Sequence, residues 1–376
     1  MRITEVRTTP LSLPYEKPYH WAQGVVNAAT VVLVEVRTDE GLSGYGECVG
    51  TPSAEAVEAH LRLAAAHCIG ESPFANTRLM RIAYHALFQA LGTCSAPRYG
   101  ALVLAGLEMA LWDLMGKATG RAVHELLGGA LRDEIAYFGF PQGQSPAEIA
   151  AEAKAFADAG CQVIYVKVGR GDALDLAIVE QVRAAIGPER RLRIDPNEHW
   201  SPLVAARMIA KVAAFDIEFV EQPTDSRSLS ALAQVHAASP LAIAADQRVF
   251  TPADVFDVCR AGAADLIVLG LHETGGIAGF RKAAAIAEAA GIEVCLHGLY
   301  ETGITTEAAN QVAATIANLD DGNQYMNHLL AWDIVAAPDL ALREGRLPVL
   351  GGPGLGFALD EAAVDRAAEN YRRAIG

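Results

Sequence analysis

Five polar residues at the ends of short apolar runs are the residues of this chain best suited to chemistry. They are Lys167, Asp195, Glu221, Asp246 and His297. Together with Gly270, which ends one further run, they follow one another at intervals of roughly 24–28 residues. Such an interval is about one strand plus one helix, so each repeat returns the chain to the same rim of a parallel sheet. We therefore expect the five side chains to converge on one site.

The three acids of this series predict a metal site. Asp195, Glu221 and Asp246 end three successive runs, and carboxylates gathered in one pocket repel each other unless a cation neutralises them. Mg²⁺ fits best, because it takes oxygen ligands and keeps positions open for water or substrate. Each acid taken alone is more typical of an ordinary strand-end carboxylate at the surface. Their regular spacing favours the metal site.

Lys167 and His297 are candidate acid/base residues. A lysine that ends a buried strand near a metal can act as a base, and histidine can donate or accept a proton near neutral pH. The alternatives are a lysine held in a salt bridge and a histidine hydrogen-bonded within the core. Four strands separate the two residues, which places them about half way round a closed barrel.

The elements that must position these residues alternate between strands and helices from about residue 133. Nearly continuous apolar runs are typical of parallel strands that are buried on both faces. The runs cover residues 135–140, 163–168, 192–195, 217–221, 241–246, 266–271 and 292–297, and helical segments include 146–159, 174–186, 202–215 and 280–290. At least seven such units favour a (β/α) barrel. A doubly wound open sheet is the alternative, although no GxGxxG motif follows a predicted strand.

The first part of the chain predicts a smaller α+β region. Residues 3–13 and 29–38 are rich in β-branched residues, and residues 42–48 return after a turn at 39–41, which favours an antiparallel meander. Helical periodicity follows to residue 69, over 76–91 and over 98–119, and a terminal helix is predicted at 362–374. We predict a domain at residues 1–130, with the tail from about 338 to 376 packing back on it, and a barrel domain at 131–337.

Composition and charge restrict the function classes. With a net charge of −15, the chain is poorly suited to nucleic acid, whose phosphates it would repel. Six scattered cysteines without a CxxC pair are typical of reduced thiols in a cytoplasmic protein. We also expect no membrane partner, because the most apolar stretch, residues 101–115, contains Glu108 and Asp113 and is too short to span a bilayer.

Short motifs along the whole chain resemble those of a known family. They include Gly44-Tyr45-Gly46-Glu47, Ala110–Lys117, Leu126–Gly129, Ile194–Asn197, Val220–Pro223, Ala245–Gln247, Thr274–Ile277 and Pro353–Gly356. In this order and spacing they resemble the enolase superfamily, specifically its mandelate racemase and muconate lactonizing enzyme family. The resemblance implies a modified TIM (β/α)7β barrel with an α+β N-terminal capping domain, and a homo-oligomer.

The resemblance also implies a chemistry. Asp195, Glu221 and Asp246 would hold Mg²⁺, and a small carboxylate substrate would bind at that metal. A base would remove the proton on the carbon next to the carboxylate, giving an enediolate that the metal stabilises. The superfamily uses a lysine or histidine base together with Mg²⁺.

Four positions depart from the common family pattern or bear on the substrate. Tyr165 replaces the first lysine of a Lys-x-Lys motif, which removes a cation that would lower the pKa of Lys167. Gly270 stands where other members have a lysine, or an aspartate that orients the histidine, so we expect His297 to lack that carboxylate. Glu301 matches a family glutamate that can donate to the substrate carboxylate when protonated. Gln247 stands where a glutamate or serine often follows the third metal ligand.

Four further residues are candidates for contacts around the site. Asn197 and Gln222 follow metal ligands closely and are predicted to hydrogen-bond around them. His20 and Trp21, with Tyr19 beside them, lie in a predicted loop, residues 15–27, that could close over the substrate. Packing between domains is the alternative for these two rings.

Three functions fit these residues. Dehydration of a hydroxy-acid or sugar acid comes first, because Lys167 and His297 are unlike groups suited to removing a proton and protonating a leaving hydroxyl. The alternative is a racemase, epimerase or cycloisomerase, in which the product keeps the mass of the substrate. A non-catalytic barrel that only binds ligands at its acidic rim is the third.

Overall fold

A computed structural model describes residues 1–89 and 97–375. The N-terminal part is a three-stranded antiparallel sheet followed by three helices. Its elements are β1 (Ile3–Trp21), β2 (Gly24–Thr38), β3 (Ser43–Val49), α1 (Ala54–Ala65), α2 (Asn76–Phe88) and α3 (Pro97–Thr119). The predicted meander is thus confirmed. Residues 90 and 91 of the predicted second helix, and Cys94, lie outside the described residues.

The predicted loop at residues 15–27 is wrong. This segment is the tip of a hairpin in which β1 and β2 continue to pair, with Tyr19 opposite Val26 and Trp21 opposite Gly24. The β-branched and aromatic residues of the segment favour extended pairing. The hairpin therefore projects as an ordered arm from the sheet.

Strand β3 lies directly against the backbone of helix α3. A Cβ atom on Gly44 would come within 2.2 Å of the carbonyl oxygen of Ala110, and one on Gly46 within 2.1 Å of that of Gly106. Only glycine permits this approach. Helix α3 is long and apolar enough by length and composition to cross a membrane, but 83% of its most apolar window is buried inside the protein. That burial is typical of the core helix of a globular domain.

The barrel follows, with strands and helices in alternation. Its elements, in chain order, are α4 (Val123–Leu126), β4 (Glu134–Ala136), α5 (Pro146–Asp158), β5 (Val163–Lys167), α6 (Asp172–Ile186), β6 (Arg191–Asp195), α7 (Pro202–Val212), β7 (Ile217–Glu221), α8 (Leu229–Ala238), β8 (Ala242–Ala245), α9 (Pro252–Ala261), β9 (Leu266–Leu269), α10 (Leu271–Thr274), α11 (Ile277–Ala289), β10 (Glu293–Leu296) and α12 (Gly303–Ala313). Strands β5 to β10 form one parallel sheet in sequential order.

Two strand-like segments close this sheet into a ring. Gly139 forms a parallel bridge with Ile164 on β5, and Leu319 forms one with Val294 on β10. Tyr137 and Asn323 then join the two segments to each other. The result is an eight-membered barrel in which seven helical segments follow the first seven strands. The predicted α/β modified (β/α)7β barrel is confirmed, and the doubly wound alternative is wrong.

The chain then returns to the N-terminal sheet. After β11 (Val335–Ala337), β12 (Arg346–Pro348) and β13 (Ala358–Leu359), helix α13 (Glu361–Ile375) buries Ala363 and Ala367 in the same cluster as Leu11 and Leu13 of β1. This contact agrees with a tail that packs on the first domain. The limits at residues 130 and 337 stay predictions.

Two buried carboxylates attach the N-terminal part to barrel helices. Glu108 of α3 accepts hydrogen bonds from the backbone N–H groups of Ile277 and Ala278, at the start of α11. Glu47 of β3 accepts from those of Thr302 and Thr305, at the start of α12. Carboxylates at helix N-termini satisfy free N–H groups and complement the helix dipole. Both helices follow loops that border the rim of the barrel.

Glu307 on α12 is a buried acid that opposes folding at high pH. Its Oε2 atom has no hydrogen-bond partner among the described residues, and burial raises the pKa of Glu307 from an ordinary 4.5 to about 8. Because the folded state binds this proton more tightly, wild-type stability should fall as pH rises from about 4.5 to about 8. We expect Glu307→Gln to be more stable than wild type at pH 8.5, by about 2–4 kcal/mol, and to lose that advantage near pH 5.

Urea unfolding at the two pH values measures this difference. The matched control is Glu180→Gln, the same substitution on an exposed position of α6. An advantage of Glu307→Gln that is equal at both pH values would contradict the assignment.

Candidate active site

The ends of five barrel strands bring the predicted residues to one rim. Lys167, Asp195 and Glu221 are the last residues of β5, β6 and β7, while Asp246 and His297 directly follow β8 and β10. Lys167 pairs in register with Asp195. This convergence follows from the repeat length, since parallel strands that are joined by helices of similar size end at the same level.

Three of these residues form a cluster able to hold a metal ion. One carboxylate oxygen from each of Asp195, Glu221 and Asp246 lies within 4.8 Å of the other two, and all three side chains are buried. We call this cluster the carboxylate triad. Burial and the neighbouring carboxylates raise the pKa of Glu221 well above its ordinary value, and burial raises that of Asp246 to about 6. Asp246 Oδ2 has no hydrogen-bond partner in the described parts of the chain. A hard divalent cation fits this donor set.

Lys167 lies beside the triad. Its Nζ atom donates to Asp195 Oδ2 at 2.6 Å and is 3.2 Å from the Tyr165 hydroxyl oxygen. Burial alone would lower the pKa of Lys167, but the charges of Asp195 and Glu221 outweigh it and raise the pKa. Without a bound cation, Lys167 is therefore held as an ammonium that partly neutralises the triad.

Tyr165 supports the triad from behind. Its hydroxyl oxygen is 2.5 Å from Asp195 Oδ2 and 2.7 Å from Glu221 Oε1, and its ring stacks on Phe138 at 4.5 Å. The tyrosine that replaces the expected lysine thus contacts two triad members.

His297 lacks an aspartate at position 270, as expected, but a different carboxylate takes its place. The Nδ1 atom of His297 is 2.5 Å from Oε1 of Glu273, in the short helix α10. Burial opposes the charged ring, but Asp246 and Glu273 raise the pKa of His297 to about 10. Its other nitrogen, Nε2, is 3.7 Å from Asp246 Oδ1. Glu273 therefore fixes the ring and leaves Nε2 facing the triad.

Gly270 makes room for this substitute carboxylate. A Cβ atom at position 270 would lie 1.8 Å from Oε2 of Glu273, so a side chain there and the observed Glu273 carboxylate exclude each other. Glu273 was not predicted, because it lies in α10, beyond the end of β9. The signal was present as an acid three residues later, which is about one helical turn.

A cavity of about 220 Å³, which we call the triad cavity, opens over these groups. It is lined by Tyr19, Trp21, Gln23, Thr51, Leu102, Lys167, Asn197, Glu198, Asp246, Gln247, Phe250, Glu273, His297, Gly298, Leu299, Tyr300, Gln324 and Met326. A larger cavity of about 670 Å³ lies between Phe156 and the segment at residues 325–345, and none of the strand-end residues lines it. The chemistry therefore belongs to the smaller cavity.

The remaining predicted residues divide into two groups. Asn197 and Gln247 line the triad cavity, and each has a buried side-chain oxygen without a partner in the described structure. Gln222 lies behind it, where its Oε1 accepts from the backbone N–H groups of Asp246 and Arg248. Glu301 does not line the cavity. Burial raises its pKa well above the ordinary value, and its Oε2 is 3.7 Å from His272 Nε2.

The hairpin arm covers the cavity with only some of the residues expected. Trp21 lines the triad cavity as predicted, but His20 does not, and its backbone N–H donates to Gln142. Neighbouring residues of a strand point to opposite faces of the sheet, so Tyr19 and Trp21 lie on one face and His20 on the other. Their rings stack at 6.2 Å. Tyr19 and Trp21, both predicted to lie near the substrate, thus line the cavity, and His20 between them does not.

The fold and this site define a class of protein, namely barrel enzymes that gather three carboxylates able to hold a metal ion, a lysine and a histidine at one rim. The model of the "Enolase C-terminal domain-like" family matches residues 148–363, and that of the "Mandelate racemase / muconate lactonizing enzyme, N-terminal domain" family matches residues 3–128. The chain belongs to the enolase superfamily, in its mandelate racemase and muconate lactonizing enzyme family. The predicted resemblance is confirmed.

Curated relatives and solved structures agree with this family. The L-Ala-D/L-Glu epimerase of Bacillus subtilis (strain 168) is 31% identical, with 95% of this chain and 97% of the relative covered. Muconate cycloisomerase 1 of Rhodococcus opacus is also 31% identical, with 98% and 99% covered. A dipeptide epimerase from Enterococcus faecalis V583, solved with Mg and L-Leu-L-Tyr, has a TM-score of 0.87 at 27% identity and covers 95% of this chain and 100% of its own.

Proposed function

We propose that this protein is an Mg²⁺-dependent isomerase that removes and returns the proton on the carbon next to a substrate carboxylate. One observation carries the proposal. Lys167 and His297 end the first and last strands of the six-stranded parallel sheet, and the carboxylate triad lies on the strands between them. Two proton-transfer groups therefore flank one metal site from different sides.

The carboxylate triad would hold Mg²⁺, the ion with which the dipeptide epimerase from Enterococcus faecalis was solved. When bound, Mg²⁺ supplies positive charge beside the substrate carboxylate, which offsets the negative charge that develops there as the proton leaves. Tyr165 and Gln222 contact the ligands and keep them in place.

Lys167 Nζ and His297 Nε2 are the atoms that would exchange the proton. Nδ1 of His297 is engaged by Glu273, so Nε2 is the nitrogen left for the substrate. A proton removed by one group and returned by the other inverts the carbon between them. The stacked Tyr19 and Trp21 cover the cavity and limit the access of water.

Isomerisation is favoured over the dehydration that the sequence analysis ranked first. The relatives at 31% identity are an epimerase and a cycloisomerase by name. The unlike chemistry of lysine and histidine, which suggested elimination, is equally compatible with proton return from the opposite side. Dehydration of a hydroxy-acid or sugar acid thus becomes the second outcome of the same test.

Incubation of carboxylates with the protein and Mg²⁺ in D₂O tests the proposal, with mass spectrometry and proton NMR as the readouts. We expect deuterium to replace the proton next to the carboxylate in at least one compound, without loss of water. Loss of water would indicate a dehydratase. If no compound exchanges while Mg²⁺ still binds, the non-catalytic barrel is the better account.

The pairing of Gly270 with Glu273 gives a prediction for the proposed reaction. Glu273→Ala should lower kcat by about 10–100-fold with little change in KM, because His297 loses the group that orients it. The double variant Gly270→Asp/Glu273→Ala should recover at least part of this loss. Position 270 has φ −107°, which any residue adopts, and the clash with Glu273 is removed.

The matched control is Gly270→Asp alone, which should be impaired because both carboxylates compete for one space. Steady-state kinetics of the three variants measure the effect. A double variant no better than Glu273→Ala would contradict the view that the two positions substitute for each other.

A further inference from the structure

The size of the triad cavity restricts the substrate. About 220 Å³ lies below the roughly 300–1,000 Å³ that is typical of sites for drug-sized ligands. The cavity thus fits a compound of about the size of a monosaccharide acid or a single amino-acid derivative.

The charges around the cavity restrict the substrate further. Among its described lining residues, only Lys167 and His297 can carry positive charge. Each already faces a carboxylate, because Lys167 Nζ is 2.6 Å from Asp195 and His297 Nδ1 is 2.5 Å from Glu273. Both are also the proposed proton-transfer groups, so neither is available to bind a second anionic group of a substrate.

The neighbouring Arg98 and Arg248 do not line the cavity. The guanidinium of Arg98 donates to the carbonyl oxygens of Gln247 and Arg248 and lies 4.7 Å from the centre of the Phe250 ring. Arg248 is paired with Asp254 at 2.8 Å. The stretch at residues 90–96, which precedes α3, reads ALGTCSA and contains no lysine, arginine or histidine.

Glu198 adds negative charge to the cavity wall. Its carboxylate accepts from the backbone N–H of Ser226 at 2.6 Å, and the residue is half-buried. A second anionic group beside Glu198 would lose its hydration without gaining a partner, which is costly in a partly buried site.

The other walls are apolar or neutral. Leu102, Leu299 and Met326 join the aromatic rings of the hairpin arm. Gln247 Oε1 is buried without a donor in the part of the chain that the structure describes. A buried acceptor is stabilised when a ligand supplies a hydroxyl or N–H group.

Resting on the proposed function, we infer that the substrate is a small monocarboxylate with an uncharged remainder that carries a hydroxyl or N–H group, and that Glu198 helps to exclude compounds with a second anion. Selectivity of this kind comes from a repulsive group as much as from attractive contacts.

Two matched pairs of probes test the inference by binding. D-gluconate and D-glucarate differ in whether the far end is a hydroxymethyl or a carboxylate, and N-acetyl-L-glutamine and N-acetyl-L-glutamate differ in an amide or a carboxylate. Calorimetric titration uses the full-length protein saturated with Mg²⁺. We expect the monocarboxylate of at least one pair to bind at least tenfold more tightly than its partner.

Variants of Glu198 separate charge from shape. Glu198→Lys should reduce that preference at least tenfold, and Glu198→Gln, which keeps the shape and the acceptor for Ser226, should reduce it less. Dicarboxylates that bind wild type as tightly as monocarboxylates, or a failure of both monocarboxylates to bind, would overturn the inference.

The D₂O experiment distinguishes this failure from that of the proposed function. Exchange confined to dicarboxylates refutes the inference and leaves the isomerase standing. Selective binding of monocarboxylates without exchange in any compound refutes the isomerase alone.

Discussion

Lys167→Met is expected to lower kcat for isomerisation by about 10²–10⁴-fold, the contribution typical of a well-placed acid/base group. Methionine has a similar length but cannot carry a proton. Lys167 lies at the end of β5 beside the triad, and its ammonium is 2.6 Å from Asp195 Oδ2. Steady-state kinetics with the substrate from the D₂O panel measure the loss.

The same variant should bind Mg²⁺ at least as tightly as wild type, because it removes a positive charge that competes for Asp195. Calorimetric titration with Mg²⁺ therefore shows whether the loss of activity is chemical rather than structural. A variant that retains activity within tenfold of wild type would rule out Lys167 as the main base.

Asp246→Asn is expected to act in opposite directions on metal binding and on the stability of the metal-free protein. One of three buried ligand charges is lost, so Mg²⁺ affinity should fall by at least about 100-fold, more than removal of an outer partner typically costs. Without metal, the melting temperature should rise, because burial and repulsion oppose the ionised Asp246.

Calorimetry with Mg²⁺ and thermal unfolding in a chelator measure the two effects. Asp158→Asn is the matched control, since it makes the same substitution at an exposed position on α5 that is paired with Lys154. Unchanged Mg²⁺ affinity in Asp246→Asn would show that the triad is not the metal site.

The positions of the triad were predictable because they depend on backbone geometry alone. Parallel strands that recur at the interval of one strand and one helix place their last residues at one rim, whatever the side chains. For this reason Asp195, Glu221 and Asp246 meet as predicted. The closed barrel followed from the same count of units.

The partner of His297 was not predictable from the strand ends, because it lies beyond the end of β9, in the short helix α10. Glu273 reaches back from α10 into the space that a side chain at Gly270 would occupy. The hairpin arm shows the same limit. Tyr19, His20 and Trp21 were all predicted to lie near the substrate, but neighbouring residues of a strand point to opposite faces, and only Tyr19 and Trp21 line the cavity.

The central claim is tested most directly by measuring proton exchange in variants that each lack one of the two proposed proton-transfer groups. In D₂O with Mg²⁺, His297→Asn should still exchange the proton of the isomer that faces Lys167, yet convert neither isomer to the other. Lys167→Met should show the reverse preference. This result would establish two groups on opposite sides of one carbon, whereas loss of exchange for both isomers in either single variant would contradict the two-sided mechanism.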